Sequence, residues 1–391
     1  MSHYNTLFHS VLSQIPRHQF EHLAQTYKSD RYVKRFSTWN QLSVLLYAQA
    51  SGQQSLRALE NAFLLQSRKL YHLGLPDKIC RNTLSHANSK RDWRAYKDLF
   101  EKLLSRCKDL TPKHRFKFKN PLYSLDAATI SLCLSVFPWA RIKHKKGALK
   151  LHCLLDHAGD IPAFAVVTKG DVNDVTAAKA YFGLSRDSIY CFDRGYIDYD
   201  WLRRIQEAGA FFVTRMRKRI KYRVVGQHEG FKPTKAILSD EVIALDSAQG
   251  KREFPRWLRL IRCYDAPSDR VFEFITNSLS LSAKTVADIY KSRWQIETFF
   301  RWIKQNLKIK TFLGTSENAV LTQIWTAMCY YLLLAYIKYQ SKYGNSLYYL
   351  HRIIRAGLLE DLTLIDLLNL NERRLAKARS PDCQQLLLPF R

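Results

Sequence analysis

The chain has 391 residues, 47% apolar and 13% aromatic, enough to fill two or three domain cores and to exclude wholesale disorder. Its 62 Lys and Arg stand against 34 Asp and Glu, and the resulting net charge of +28 makes a polyanion, nucleic acid first, the expected partner. Eight cysteines lie scattered without a Cys-x-x-Cys pair, so neither a zinc ribbon nor a disulfide framework is indicated, and they read as buried thiols in a reducing cytosol.

The N-terminus, MSHYNTLFHSVLSQIPRHQF, lacks the basic start, apolar run and small-residue cleavage site of a secretory signal, so a mature cytoplasmic protein is expected. Residues 1–118 place apolar residues at helical spacing in four segments, with breaks at Gly52, at Leu75-Pro76 and at Thr111-Pro112. Up to residue 120 the chain carries 21 Lys and Arg against 8 Asp and Glu, nearly half of the excess charge, which suits a helical DNA-binding domain. KHRFKFK at 113–119 interleaves cations with Phe116 and Phe118 and ends that domain. From Pro121 short β-rich runs follow: three early strands, then strands alternating with helices, the pattern of an α/β sheet. Residues 219–277 hold strand-like segments with no helix between them and read as a β insertion. The final third, from Ser282, is helical again. Its Ala319–Ile337 run is apolar except for Thr322, Gln323 and Thr326, and is expected to be a core helix rather than a membrane span. The predicted domains are 1–118, 119–345 and a helical C-terminal region at 346–391.

One helix stands out. Tyr290, Arg293, Glu297, Arg301 and Lys304 fall at spacings of 3, 4, 4 and 3 and share a face. Ile289, Ile296, Phe300, Ile303 and Leu307 form a second stripe that can bury the helix against a sheet. By itself this is compatible with an amphipathic helix in which Glu297 bridges Arg293 and Arg301, worth a few tenths of a kcal/mol. Two aspartates alter that reading. Asp126 follows the apolar run LYSL and Asp193 ends SIYCF, so each acid lies at or near a strand end, where α/β sheets place ligands. Phosphodiester chemistry calls for two divalent ions about 3.5–4 Å apart. Hard Mg²⁺ (or Mn²⁺) prefers carboxylates, and Asp126, Asp193 and Glu297 form a candidate catalytic and metal-binding triad. His144, His152 and His157 lack zinc spacing and read as solvated or core residues. Two dense basic stretches, 141–150 and 214–223, are candidate phosphate contacts.

Tyr290-x-x-Arg293-x-x-x-Glu297-x-x-x-x-x-x-Lys304 resembles the Tyr-Arg-Glu-Lys signature of DDE transposases of the insertion-sequence 4 family. Asp193-Arg194-Gly195-Tyr196 resembles the family's second aspartate motif, and LYSLDAATISL the segment around its first. The family has Ser or Thr directly after the first Asp, where this chain has Ala127 and Ala128, with a hydroxyl only at Thr129. The resemblance covers about residues 120–340. It implies a ribonuclease H-like α/β catalytic domain with a β insertion between Asp193 and Glu297, preceded by an all-helical domain. It further implies a bacterial, nucleoid-associated enzyme that binds terminal inverted repeats as double-stranded DNA and acts as a dimer in a synaptic complex. Such an enzyme frees a 3′-hydroxyl and joins it to target DNA. Tyr290, Arg293, Arg301 and Lys304 then become DNA contacts. Trp294, with Phe272 or Trp257, becomes the aromatic surface for a base displaced during hairpin formation, which some members use to cut the second strand. A metal-dependent nuclease without strand transfer and a catalytically inactive DNA-binding relative are the alternatives.

Overall fold

The computed structural model of the chain describes residues 6–142, 147–307 and 311–369. His144 and much of the 141–150 basic stretch lie outside them, as does most of the chain beyond 370. The helices and strands, in chain order, are α1 (Leu7–Leu12), α2 (Arg17–Thr26), α3 (Thr38–Ser51), α4 (Leu56–Leu65), α5 (Ser67–Leu70), α6 (Arg81–Lys90), α7 (Arg94–Lys108), β1 (Leu122–Leu132), β2 (Gly147–Asp156) and β3 (Ile161–Lys169). There follow α8 (Asp174–Tyr181), β4 (Ile189–Phe192), α9 (Tyr199–Glu207), β5 (Phe211–Arg215), β6 (Tyr222–Gln227), β7 (Ile237–Leu245), α10 (Ala248–Glu253), β8 (Trp257–Asp265), β9 (Arg270–Thr276), α11 (Ala283–Ser292), α12 (Trp294–Asn306), α13 (Glu317–Gln340) and α14 (Leu347–Ala356). The chain is mixed α/β and divides into two compact units. A helical unit combines residues up to 110 with those from 305 onward, and residues 111–304 form the second. The boundary therefore lies at 304/305 rather than at 345, because α13 packs with α3, α6 and α7 instead of with the sheet.

In the helical unit, α3 begins in a capping box between Ser37 and Asn40 and stops at Gly52, whose φ of 77° is the left-handed geometry glycine adopts without strain. Both α3 and α13 are buried almost throughout, α3 with Asn40, Gln41, Ser43 and Gln49 among its buried residues, which identifies them as the axis of the unit. Although α13 is the one described helix long and apolar enough to cross a membrane, 94% of its most apolar window is buried within the protein. Two of its three polar interruptions are satisfied internally: Gln323 accepts from the Leu313 N–H at 2.8 Å and donates to the Thr311 carbonyl at 2.9 Å. Thr326 donates to the Thr322 carbonyl at 2.8 Å. Phe100 of α7 packs on Trp325, and Asn318 donates to the carbonyls of Asn88 and Arg91, tying α13 to the end of α6.

In the second unit, nine strands among the described residues form one sheet of order β3-β2-β1-β4-β5-β9-β8-β7-β6. β1, β2 and β3 are an antiparallel meander, and β4 and β5 then add in parallel, joined through α8 and α9. The continuous apolar run of β4 is what a doubly covered strand requires. Tyr190 and Phe192 enter a core with Trp201, Leu202 and Ile205 of α9. Ile189 and Cys191 enter another with Val286 and Ile289 of α11. The segment expected as a separate β insertion is instead a continuation of this sheet: β9 returns antiparallel beside β5, with Val213 opposite Thr276, and β8, β7 and β6 follow outward. It also contains one helix that the strand-like pattern concealed, the six-residue α10, which Ser247 caps by accepting from the Gly250 N–H.

His351 of α14 is buried, with its Nδ1 3.2 Å from the Tyr330 hydroxyl, and burial depresses its pKa to about 4. The unfolded chain therefore takes up this proton near pH 6.5 while the folded chain refuses it until about pH 4, so stability is lost as pH falls across that window. The advantage of wild type over His351→Gln is expected to shrink between pH 7 and 4.5 by up to about 1.4 kcal/mol per pH unit, read by urea unfolding. A difference constant with pH would refute this account of His351.

Candidate active site

Alternation along β1 sets the first acid. Leu122, Ser124, Asp126 and Ala128 share a face, and Leu122 on that face packs in the core covered by α11. Asp126 thus lies on the α11 side, its Oδ1 accepting from the Ala127 N–H at 2.8 Å. Thr129 is exposed on the face opposite Asp126, the same face as Ala127 and one residue pair further along the strand. Asp193 follows the buried end of β4 and caps a 3₁₀ turn, Arg194–Tyr196, by accepting from the Gly195 N–H at 2.8 Å. Glycine at 195 leaves the Asp193 carboxylate in place: a Cβ there would stand 2.8 Å from Asp193 Oδ1 and displace it.

Glu297 lies in the first turn of α12, and here the single helix expected from spacing is divided. At Arg293 the hydrogen bonds tighten to i→i+3, Arg293 N–H to the Tyr290 carbonyl and Ile296 N–H to the Arg293 carbonyl, which separates α11 from α12. The buried stripe persists across the break through Ile289, Ile296, Phe300, Ile303 and Leu307. Arg293, mostly buried, points at the acids: Nη2 donates to Glu297 Oε1 at 2.7 Å and Nη1 lies 3.5 Å from Asp126 Oδ2. Its guanidinium also stands 5.6 Å from the centre of the Tyr290 ring, which packs on Phe274.

These groups form one electrostatic unit. Burial raises the pKa of Asp126 to about 6, the Ala127 N–H and Arg293 oppose the shift, and Asp193 and Glu297 add to it as like charges. Beneath them the buried Tyr196 hydroxyl is held well above the usual phenol range by burial and by Asp126, Asp174 and Asp193. The donor chemistry of the three carboxylates suits a hard divalent cation. Among the described residues, however, no three His, Cys, Asp or Glu side chains are already gathered as a metal cage, and Arg293 supplies the positive charge between Asp126 and Glu297.

Of the other candidates, Trp294 is 55% exposed and Trp257 61%, while Phe272 is half-buried under the Arg215 guanidinium. Arg301 is exposed and Lys304 half-buried on α12, and among the described residues Glu297 is bridged by Arg293 alone, not by Arg301. Two of the patch cations are structural. Arg217 donates to the carbonyls of Arg194 and Gly195 at 2.7 and 2.9 Å, bracing the turn behind Asp193. Lys150 donates to the Val172 carbonyl and to Asp174. His152 and His157 are core residues. The Ser124 hydroxyl lies 2.7 Å from His157 Nε2, a buried polar contact on β1 two residues before Asp126. Nothing in the sequence distinguished Arg217 from its basic neighbours. The Ser124 link could have been sought from its place on the Asp126 face.

Comparison with known proteins identifies the family. Residues 117–333 match the family model described as "Transposase DDE domain", and residues 3–76 match "Domain of unknown function (DUF4372)". The chain belongs to the DDE transposases. It is 33% identical over 258 residues, 64% of this chain and 69% of the relative, to the putative transposase y4zB of Sinorhizobium fredii. It is 28% identical over 307 residues, 76% of this chain and 80% of the relative, to the probable transposase for insertion sequence element IS5377 of Geobacillus stearothermophilus. The protein is thereby an insertion-sequence transposase. The cryo-EM structure of a piggyBac transposase synaptic complex with hairpin DNA is 12% identical, over 97% of this chain and 81% of that one, with a TM-score of 0.42.

Because Arg293 lowers the Asp126 pKa, Arg293→Gln is expected to move the titration of Asp126 above about 6. Carbon-13 NMR of Asp-labelled protein, assigned with Asp126→Asn, reads the shift. An unchanged or lower value would mean that the guanidinium does not stabilise this carboxylate.

Proposed function

We propose that the protein binds the terminal inverted repeats of its element as duplex DNA, hydrolyses a phosphodiester to free a 3′-hydroxyl, and joins that hydroxyl to target DNA. The observation that carries this reading is the electrostatic coupling of Asp126, Asp193 and Glu297, presented by β1, the end of β4 and α12. The order of β1–β5 supports a ribonuclease H-like catalytic unit, and Tyr290, Arg293, Glu297 and Lys304 support membership of the insertion-sequence 4 family.

Asp126, Asp193 and Glu297 are the residues that would hold Mg²⁺ or Mn²⁺, which supplies activation of the attacking oxygen and stabilisation of the leaving oxygen. Arg217 and the Gly195 N–H keep Asp193 oriented, and the Ser124–His157 contact ties β1, two residues before Asp126, to the turn after β2. Arg293, released from the carboxylates, is placed to take a phosphate oxygen, with Arg301 and Lys304 further along α12 as backbone contacts. Trp294 offers an exposed ring on which an unstacked base can rest, as a hairpin pathway needs. The enzyme acts as a dimer holding both element ends, in the cytoplasm at the nucleoid.

Asp126→Asn, Asp193→Asn and Glu297→Gln are each expected to abolish cleavage in Mg²⁺ while leaving duplex affinity within about twofold, since each removes a ligand charge but little surface. The assay incubates linear DNA bearing the element ends with a circular target, with and without Mg²⁺. A single variant cutting at the wild-type rate removes that residue from the triad. Cleaved ends with no joined product would reduce the activity to that of a nuclease. Arg293→Gln is further expected to raise Mn²⁺ affinity in the absence of DNA, measured by titration calorimetry. Unchanged affinity would show that the guanidinium does not compete with the cation.

A further inference from the structure

The helical unit has a second charged feature, unrelated to the carboxylates. Between α2 and α3 the chain makes a compact loop in which two non-glycine residues, Lys28 (φ 50°) and Tyr32 (φ 61°), adopt left-handed geometry. That geometry is held from below by one buried arginine. Arg91, at the end of α6, donates to the carbonyls of Phe36 and Ser37 and to Gln41 Oε1, and lies 3.6 Å from Asp30 Oδ1. Asp30 in turn accepts from the N–H and hydroxyl of Thr38, each at 2.7 Å. Of the other nearby acids, Asp92 is bound by Arg94 and Asp98 accepts from the Tyr27 hydroxyl at 2.7 Å. The loop is therefore fixed, and these acids are already engaged.

What the loop presents outward is nearly all positive. With α6 it walls a cup of about 910 Å³ whose rim carries Lys28, Arg31, Lys34 and Arg35 on one side and His86 and Lys90 on the other, all exposed. Among the described residues Lys28, Lys34, Arg35 and Lys90 have no acidic partner within ion-pair distance. Arg31 stands 4.9 Å over the ring of Tyr32, which is 86% exposed, so a planar cation and an aromatic face project together. On α6, Thr83, His86 and Lys90 lie on one side across about 10 Å, the axial rise of about three base steps of duplex. Such a concentration of like charge on a rigid frame costs stability through self-repulsion unless a polyanion meets it.

We infer that this cup, which straddles the end of the domain of unknown function, is a duplex-DNA site gripping the phosphate backbone, separate from the carboxylate site. The inference rests on the transposase reading for its partner but not on the chemistry at Asp126. Loop cations take phosphates on one strand and α6 takes those across the groove. A duplex suits two facing cationic walls, whereas a single strand would be held chiefly by a run of stacked aromatics, of which the rim exposes one.

The test measures binding of the full chain to a mixed-sequence linear duplex by fluorescence anisotropy over a salt series. Lys34→Ala with Arg35→Ala should lower the salt slope by about two units. Between about 50 and 200 mM salt this variant should then lose about twelvefold less affinity than wild type does. Removing two exposed charges from elsewhere in the same unit, Arg57→Ala with Arg68→Ala, should leave the slope nearly unchanged. On unmutated protein, added duplex should protect Lys28, Lys34 and Lys90 from an amine-acetylating reagent more than Lys251, a readout independent of variant folding. Equal slope losses in the two double variants, unprotected rim lysines, or tighter binding of single strand than duplex would each overturn the site. If the cup variant keeps the wild-type slope while wild type cuts and joins element ends, the cup falls and the transposase reading stands. If the cup variant loses slope in a protein that cuts nothing, the converse holds.

Discussion

Arg293 reaches Asp126 and Glu297 with one guanidinium, and the arrangement of the catalytic unit depends on that cation. Burial and the neighbouring carboxylates Asp193 and Glu297 raise the pKa of Asp126, and the guanidinium offsets that cost. A mostly buried arginine from the junction of two helices can do so because its planar fork serves two carboxylates at once. The tightened turn at Arg293 follows from the same demand. A uniform helix would leave the side chain directed by its neighbours, whereas the break lets it sit between β1 and α12.

The sheet makes this convergence possible. β4 is parallel to β1, so the chain leaves Asp193 close to the strand that carries Asp126, and the strands' inner faces anchor α11 through Val286 and Ile289. The Ser124–His157 contact is a buried polar connection between β1 and the turn after β2, and it fixes register where an apolar pair would allow sliding. Asp193 needs its own support because it lies past the strand in a turn, which Gly195 and Arg217 provide.

Much of this was legible before any coordinates. The apolar run Ile189–Phe192 could only be a covered strand, and the predominantly apolar Ala319–Ile337 announced a buried axis, whereas the 3-4 spacing at Tyr290–Lys304 gave no sign of the break at Arg293. What the pattern hid was tertiary. Strand periodicity is the same in an inserted sheet and in an extension of the existing one, so only the pairing of β5 with β9 told them apart. Likewise, Arg217 and Lys150 read as free phosphate ligands until their carbonyl partners appeared. Local charge spacing says nothing about which backbone oxygens the fold leaves unpaired. The division at 304/305 was equally invisible, since α13 is apolar enough to serve either unit.

That division bears on how the protein is made. The helices α3, α6 and α7 have α13 as their packing partner, and α13 begins at Glu317, after more than 200 residues of sheet have been synthesised. On the ribosome the interrupting unit has all of its strands available before the first unit has its axis, the reverse of the usual N-terminal-first order. A chain ended ahead of Glu317 therefore leaves α3, α6 and α7 without the helix that covers their apolar faces, and the first unit is completed only when the last third of the chain has been made.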